Sequence, residues 1–192
     1  MTVRRTSTGD APLFAWGEQM RRLRRHRRAR RLVAGLAIGS LALGLTIAWP
    51  PAPRLVWNAS ASAPIGLYRV YPGAPARAGD MVVARLTARY RALAAERHYL
   101  PANVPLVKRV AAAPDSQVCA RGRAILIDNR KVAIRQLSDP HGRPLPWWEG
   151  CIRLRGGELF LLTDAPDSFD GRYVGVTEDT DVVGRAVLLW RR

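Results

Sequence analysis

The residues best suited to chemistry in this sequence are a pair of serines and a lysine. Ser60 and Ser62 are two apart in WNASASAPIGLYRV, a spacing that puts both hydroxyls on one side of an extended chain. A serine hydroxyl needs a base to become a nucleophile, and a lysine serves if burial lowers its pKa. Of the two lysines in the chain, Lys108 lies between apolar residues in VPLVKRVAAAP and Lys131 follows a polar turn. Lys108 is therefore the candidate base.

Other kinds of site find less support in the residues. The three histidines, His26, His98 and His141, lie far from any nucleophile motif, and no Gly-rich phosphate loop follows a strand. Cys119 and Cys151 form no CxxC motif and have no neighbouring histidine, so we expect neither a metal site nor a cofactor. Taken alone, a lysine in a strand is more often an edge residue, and a Ser-Ala-Ser tripeptide more often a surface turn.

A basic segment and an apolar segment make up the N-terminal quarter of the chain. Residues 1–31 hold ten arginines against two carboxylates, and residues 32–49 are 18 residues without a charge, long enough to cross a hydrocarbon core of about 30 Å. The apolar run is uninterrupted around the helix and no clean cleavage site follows it. We therefore expect an uncleaved transmembrane signal anchor, rather than a buried core helix or a cleaved signal peptide.

The basic segment sets the expected orientation. Arginines next to a membrane span stay in the cytoplasm, so residues 1–31 form a cytoplasmic tail and residues 50–192 lie on the far side of the bilayer. Orientation and anionic lipid already explain the positive charge, so we do not expect nucleic acid to be a partner.

The outer region has the pattern of a mainly β domain. Short apolar runs separated by Gly, Pro, Asn and Asp predict strands joined by turns. One helix is predicted at 87–100, ending before Pro101, and a Pro/Gly-rich loop at 138–150. Asp128-Asn129 is predicted to be the turn of a hairpin. The strands are predicted at 67–71, 80–86, 105–111, 117–120, 123–127, 131–135, 158–163 and 182–190.

Four motifs together resemble one known family. NASASAPIGLY, AGDMVV, PLVKRVAAAPDS and DSFDGRYVG occur in the order and rough spacing of the signal peptidase I superfamily, and the likeness is greatest to its conjugative-transfer branch. It covers roughly residues 55–190. The resemblance implies a signal-peptidase-like β domain behind an N-terminal membrane anchor.

The resemblance also implies roles for the serines and the lysine. Ser62 matches the nucleophile and Lys108 the general base of a Ser/Lys pair. Ser60 matches a serine whose hydroxyl lines the oxyanion hole beside the Ser62 backbone N–H. Such donors stabilise charge that develops in the transition state.

Three supporting residues are implied in DSFDGRYVG. Ser168 matches a serine that holds the lysine amine, and Asp170 with Arg172 matches an ion pair that supports the site. The family commonly has a serine where this chain has Gly171, which leaves the supporting role of the loop open.

The resemblance further suggests that Cys119 and Cys151 form a disulfide closing the loop that carries Trp147 and Trp148. For these two tryptophans we leave open ordinary packing and a position at the membrane interface.

The implied function is a membrane-anchored serine endopeptidase that cleaves exported precursors in the inner membrane, with its catalytic domain in the periplasm. In the conjugative branch the implied substrate is a pilin subunit, with or without cyclisation, and the implied partners are conjugation or type IV secretion components. Two alternatives remain open: a general signal peptidase I, and a non-enzymatic scaffold subunit of a secretion apparatus.

Overall fold

The computed structural model describes residues 11–49 and 51–192. The first ten residues of the predicted cytoplasmic tail and Pro50, the first residue of the predicted outer domain, lie outside the described residues. The chain divides into a helical unit that ends at Pro51 and a second compact unit, Ala52–Arg192.

The N-terminal unit is one long helix, α1 (Ala11–Ala48). Among the described residues, its Trp16–Ala48 portion is the one helix long and apolar enough to cross a membrane, and none of that apolar window is buried. A core helix of a soluble protein would bury this surface. All of the predicted span except Trp49 therefore lies within a helix with the properties of a membrane anchor or a signal sequence.

The second unit is mainly β, as predicted. Its larger sheet has the antiparallel order β1-β2-β11-β3-β4-β9-β10. The bounds are β1 (Leu55–Asn58), β2 (Gly66–Pro72), β3 (Met81–Ala84), β4 (Leu106–Ala112), β9 (Glu158–Leu162), β10 (Thr177–Glu178) and β11 (Val182–Arg191).

The smaller sheet has the order β7-β6-β5-β8. Its strands are β5 (Gln117–Arg121), β6 (Ala124–Ile127), β7 (Arg130–Ile134) and β8 (Gly150–Arg153). The hairpin predicted at Asp128-Asn129 is confirmed, because both residues have positive φ angles of 48° and 64° and Ile127 pairs with Arg130. This geometry matches the right-handed twist of the flanking strands.

Short helical segments complete this unit: α2 (Ala88–Glu96), α3 (Gly171–Val174) and a 3-10 turn at Asp179–Asp181. The helix predicted at 87–100 corresponds to α2, and the prediction was wrong at the C-terminal end of this helix. His98 has a φ of 60°, which is incompatible with a continuing right-handed helix. Residues 97–100 instead form turns before Pro101.

The core consists of clusters of buried side chains from neighbouring strands. One cluster of buried side chains, which includes Tyr68, Val83 and Val107, lies beside the β1–β2 connection. A second, which includes Phe160, joins the two sheets. The chain approaches itself closely at Gly66, where a Cβ would lie 2.0 Å from the Trp190 carbonyl oxygen, so only glycine fits.

Candidate active site

Ser62 lies in the turn between β1 and β2. The backbone turns at residues 61–62, so the extended conformation considered for Ser60 and Ser62 is absent. The two hydroxyls nevertheless meet, with a hydrogen bond of 2.9 Å between their Oγ atoms. The Ser62 N–H also donates to Ser60 Oγ at 3.3 Å. The turn therefore gathers the predicted nucleophile and the predicted oxyanion donors in one place.

Lys108 projects from the middle of β4 into this turn. It pairs with Val82 of β3 and is only 3% exposed. Its Nζ donates a hydrogen bond of 3.1 Å to Ser62 Oγ. The structure thus brings together the two residues that the sequence proposed as nucleophile and base, although 46 residues separate them.

Burial sets the protonation of this lysine. Removal from water penalises the charged form and lowers the pKa of Lys108 to about 8, even though the nearby Asp170 carboxylate opposes the shift. An amine with this pKa is neutral in about a tenth of the molecules at pH 7 and in about half of them at pH 8. Lys131, by contrast, is exposed, as predicted.

Ser168 holds the other side of the amine. It lies in the connection between β9 and α3, is 6% exposed, and accepts a hydrogen bond of 2.5 Å from Lys108 Nζ. The ammonium or amine is therefore held between two hydroxyls, one on each side, which fixes the direction in which it faces Ser62.

A buried ion pair shapes the loop that carries Ser168. Arg172 Nε lies 3.1 Å from Asp170 Oδ1, and the Asp170 carboxylate also accepts from the Thr163 N–H at 3.2 Å. The guanidinium donates to the carbonyl oxygens of Pro166 and Thr163. Burial raises the pKa of Asp170, and the Arg172 charge opposes that rise. The pair therefore ties together both ends of the 163–170 loop.

The structure explains the glycine that departs from the family pattern. A Cβ on Gly171 would lie 2.7 Å from the Leu161 carbonyl oxygen and 2.9 Å from the Phe160 ring. The backbone of α3 packs directly onto β9 at this point, so a serine would not fit without displacement. The ion pair on either side of Gly171 is present nonetheless.

The two cysteines are bonded to each other in a disulfide between β5 and β8, where they are directly paired across the strands. The chain between them carries the two tryptophans. Trp148 packs edge-on against Phe160 and its indole N–H donates to the Gly171 carbonyl oxygen at 3.3 Å. The Arg135 guanidinium carbon, Cζ, lies 3.6 Å from the centroid of a Trp147 ring. Both tryptophans take part in packing within the domain.

Three residues near the site escaped the reading of the sequence. Asn58 and Tyr68 donate hydrogen bonds to the nucleophile turn. Phe169, next to Ser168, stacks against Tyr173 with 6.0 Å between the ring centroids. It also packs against Tyr99, with 5.3 Å between the ring centroids. Asparagine immediately before a turn is a recognisable signal, whereas the partners of Phe169 come from distant segments and have no local signature.

Comparison with known proteins identifies the class of this chain. The family model for signal peptidase, peptidase S26, matches residues 27–191, which is most of the chain. The chain therefore belongs to the signal peptidase family S26, a family of serine peptidases.

Two curated relatives come from conjugation systems. The conjugal transfer protein TraF of Agrobacterium fabrum is 32% identical over 141 residues, covering 67% of this chain and 78% of that protein. The plasmid transfer protein TraF of Escherichia coli is 29% identical over 174 residues, covering 84% of this chain and 97% of that protein. A signal peptidase I structure from Enterococcus faecalis V583 aligns at 18% identity with a TM-score of 0.33, covering 60% of this chain and 98% of that one.

Proposed function

We propose that this chain is a membrane-anchored serine endopeptidase in which Ser62 is the nucleophile and Lys108 the general base. The observation that carries the proposal is the 3.1 Å contact between Lys108 Nζ and Ser62 Oγ, made by a lysine that is 3% exposed. A buried amine with a lowered pKa is the kind of base that a serine nucleophile requires.

The proposed reaction proceeds through an acyl-enzyme. The neutral Lys108 amine accepts the Ser62 hydroxyl proton while Oγ forms a bond to the scissile carbonyl carbon. The C–N bond then breaks, and the leaving amine takes the proton from Lys108. A second nucleophile gives a proton to the same amine and attacks the ester carbon. The C–Oγ bond then breaks, and Ser62 Oγ takes the proton back from Lys108.

The oxyanion pocket in this mechanism consists of the Ser62 N–H and the Ser60 hydroxyl. In the structure these two groups bond each other at 3.3 Å, so a substrate carbonyl oxygen would take the place of Ser60 Oγ as the acceptor of the Ser62 N–H. The Ser60 O–H then turns toward the same oxygen. Two such donors lower the barrier because they meet charge that appears only in the transition state.

Ser168 and the ion pair are proposed to position the amine. Ser168 Oγ accepts from Lys108 Nζ, which leaves the lone pair of the neutral amine free to face Ser62. Asp170 and Arg172 hold the loop that supplies Ser168. Breaking a buried pair of this kind typically costs about 3–5 kcal/mol.

The proposed substrate is an exported precursor with small side chains before the scissile bond, and specifically a pilin subunit of a conjugation system. The two TraF relatives come from conjugation systems and support the assignment of a pilin substrate. The working partners would then be conjugation or type IV secretion components. The acyl-enzyme can be resolved by water or by an amino group of the pilin itself, which would give a cyclic product. A general signal peptidase would use the same chemistry on many precursors.

The proposed topology follows from the charge and the anchor. Residues 1–31 lie in the cytoplasm, residues 32–49 span the inner membrane, and residues 50–192 form the periplasmic catalytic domain. Trp57 and Trp190 support a location of the domain at the lipid surface. Their ring centroids are 5.6 Å apart, and the two side chains remain 46% and 59% exposed. Tryptophan favours the depth of the headgroups.

Processing of the precursor in cells tests the proposal. Ser62→Ala and Lys108→Ala are each expected to leave the pilin precursor uncleaved while the full chain accumulates normally in the membrane. Lys131→Ala is the matched control and is expected to process normally. Normal cleavage by either of the first two variants would contradict the peptidase assignment and favour a scaffold role.

A further inference from the structure

Asn58 makes an unusual set of contacts with the nucleophile turn. It is the last residue of β1, pairs with Gly66 of β2, and is 7% exposed. Its Nδ2 donates to the carbonyl oxygens of Ser60 at 2.9 Å, Ala63 at 3.1 Å and Pro64 at 3.1 Å. Its Oδ1 accepts from the Ser60 N–H at 3.2 Å. One side chain therefore bonds the backbone on both sides of Ser62.

The orientation of this carboxamide is fixed by its surroundings. Three carbonyl oxygens face the nitrogen and one N–H faces the oxygen. The reversed orientation would place Oδ1 against three acceptors and leave Nδ2 against a donor. An aspartate has the same shape but no donor, so its carboxylate could not replace the bonds to the three carbonyl oxygens.

We infer that Asn58 is a positioning residue for the proposed Ser62 nucleophile and decides which donors form its oxyanion pocket. Because Oδ1 takes the Ser60 N–H, that amide is unavailable to a substrate. The Ser60 backbone is held at both its N–H and its carbonyl oxygen, so its hydroxyl stays beside the Ser62 N–H. The Ser62 N–H bonds Ser60 Oγ and not Asn58, so a substrate oxygen can take the place of that hydroxyl as its acceptor.

Tyr68 adds a further hydrogen bond to the same turn. This residue is fully buried, and its hydroxyl donates to the Pro64 carbonyl oxygen at 2.8 Å. The Pro64 carbonyl oxygen therefore accepts from two side chains, whereas Asn58 is the one side chain that donates to the Ser60 and Ala63 carbonyl oxygens. The Ser60 carbonyl oxygen also accepts from the Ala63 N–H at 3.4 Å. Removing Asn58 is expected to loosen the whole turn, and removing the Tyr68 hydroxyl only its far end.

The inference rests on the proposed function, and its experiment measures acyl transfer by the full chain in detergent micelles. The probe is p-nitrophenyl acetate, and mass spectrometry locates the acetyl group in the tryptic peptide 55–69, with Ser62→Ala as the blank. Asn58→Ala is expected to lower kcat by about tenfold to a hundredfold, because small displacements of reacting groups have effects of that size. KM and the pH midpoint should stay unchanged, since Asn58 contacts neither substrate nor Lys108.

Two further variants separate positioning from folding. Asn58→Asp keeps the shape and is expected to lose at least as much activity as Asn58→Ala. Tyr68→Phe removes one hydroxyl and is expected to give a smaller loss, of a few fold, again in kcat alone. Asn103→Ala, a change at an exposed asparagine, is the control and should match the wild type.

Each outcome has a distinct meaning. Wild-type acylation rates in folded Asn58→Ala, or a loss matched by a shifted pH midpoint or a raised KM, would overturn the positioning role while leaving the Ser62 assignment intact. Absence of any acetyl group on Ser62 in the wild-type chain would instead refute the proposed function, before any variant is compared.

Discussion

Replacing the buried lysine by methionine is predicted to stabilise the folded domain near neutral pH. Lys108 is 3% exposed, and burial lowers its pKa from 10.5 to about 8. A lysine whose pKa is lower in the folded state than in the unfolded state binds fewer protons when folded, here between pH 8 and 10.5. The difference of 10.5 minus 8, at 1.36 kcal/mol per unit, corresponds to about 3 kcal/mol. This amount destabilises the wild type below pH 8.

The net effect is smaller because the variant also loses contacts. Lys108→Met leaves the buried Ser168 hydroxyl without its partner, which costs about 1 kcal/mol. The variant is therefore expected to be about 2 kcal/mol more stable than the wild type at pH 7. As pH rises through 8 toward 10.5 the wild type recovers its stability, so the advantage should disappear by about pH 10.

Urea denaturation followed by tryptophan fluorescence measures this difference, with the full chain in detergent micelles at pH 7 and pH 10. Groups that do not interact with Lys108 titrate alike in both proteins and cancel in the comparison. Lys131→Met changes the other lysine of the chain, which is exposed, and should show no pH-dependent difference. A Lys108→Met variant less stable than the wild type at pH 7, or a difference independent of pH, would refute the neutral-amine reasoning.

The remaining predictions concern the surroundings of the site. Asp167→Asn removes an exposed carboxylate that raises the pKa of the buried lysine, so the midpoint of the pH–rate profile should fall slightly, while Asp164→Asn on the same loop should leave it in place. Gly171→Ser should lower thermal stability and activity together, because its Cβ would lie 2.7 Å from a backbone oxygen; an unchanged melting temperature would contradict the packing described for α3. Cys119→Ala opens a disulfide whose cysteines are 32 residues apart and should cost about 3–4 kcal/mol of unfolding free energy, measured in urea against the oxidised wild type.

Local sequence patterns predicted most of the sheet. Eight strands were anticipated from apolar runs between turn residues, and the structure contains a strand at each of those places. The strands that escaped prediction are β1, β8 and β10, of four, four and two residues. Their side chains are mostly exposed or polar, so they carry no apolar period to detect. Pairing with a neighbouring strand makes them strands: β1 pairs with β2, β10 with β9, and β8 with the more distant β5.

The site residues also divide into those that local sequence predicts and those whose roles appear only in the folded structure. Lys108 and the pair Ser60 and Ser62 could be proposed from residue type and context. The resemblance selected Ser62 as the nucleophile and added Ser168. The role of Asn58 depends on a turn whose carbonyl oxygens converge only after folding. Gly171 likewise departs from the family pattern in sequence, and its reason is visible only where α3 packs onto Phe160.

The most direct test of the central claim is the site and pH dependence of acylation in the intact chain. After brief exposure to p-nitrophenyl acetate, the acetyl group should be found on Ser62, and its rate of formation should rise with pH through about 8 as Lys108 loses its proton. Ser62→Ala and Lys108→Met should both abolish it. Acylation at another residue, or at Ser62 with undiminished rate in Lys108→Met, would contradict the account.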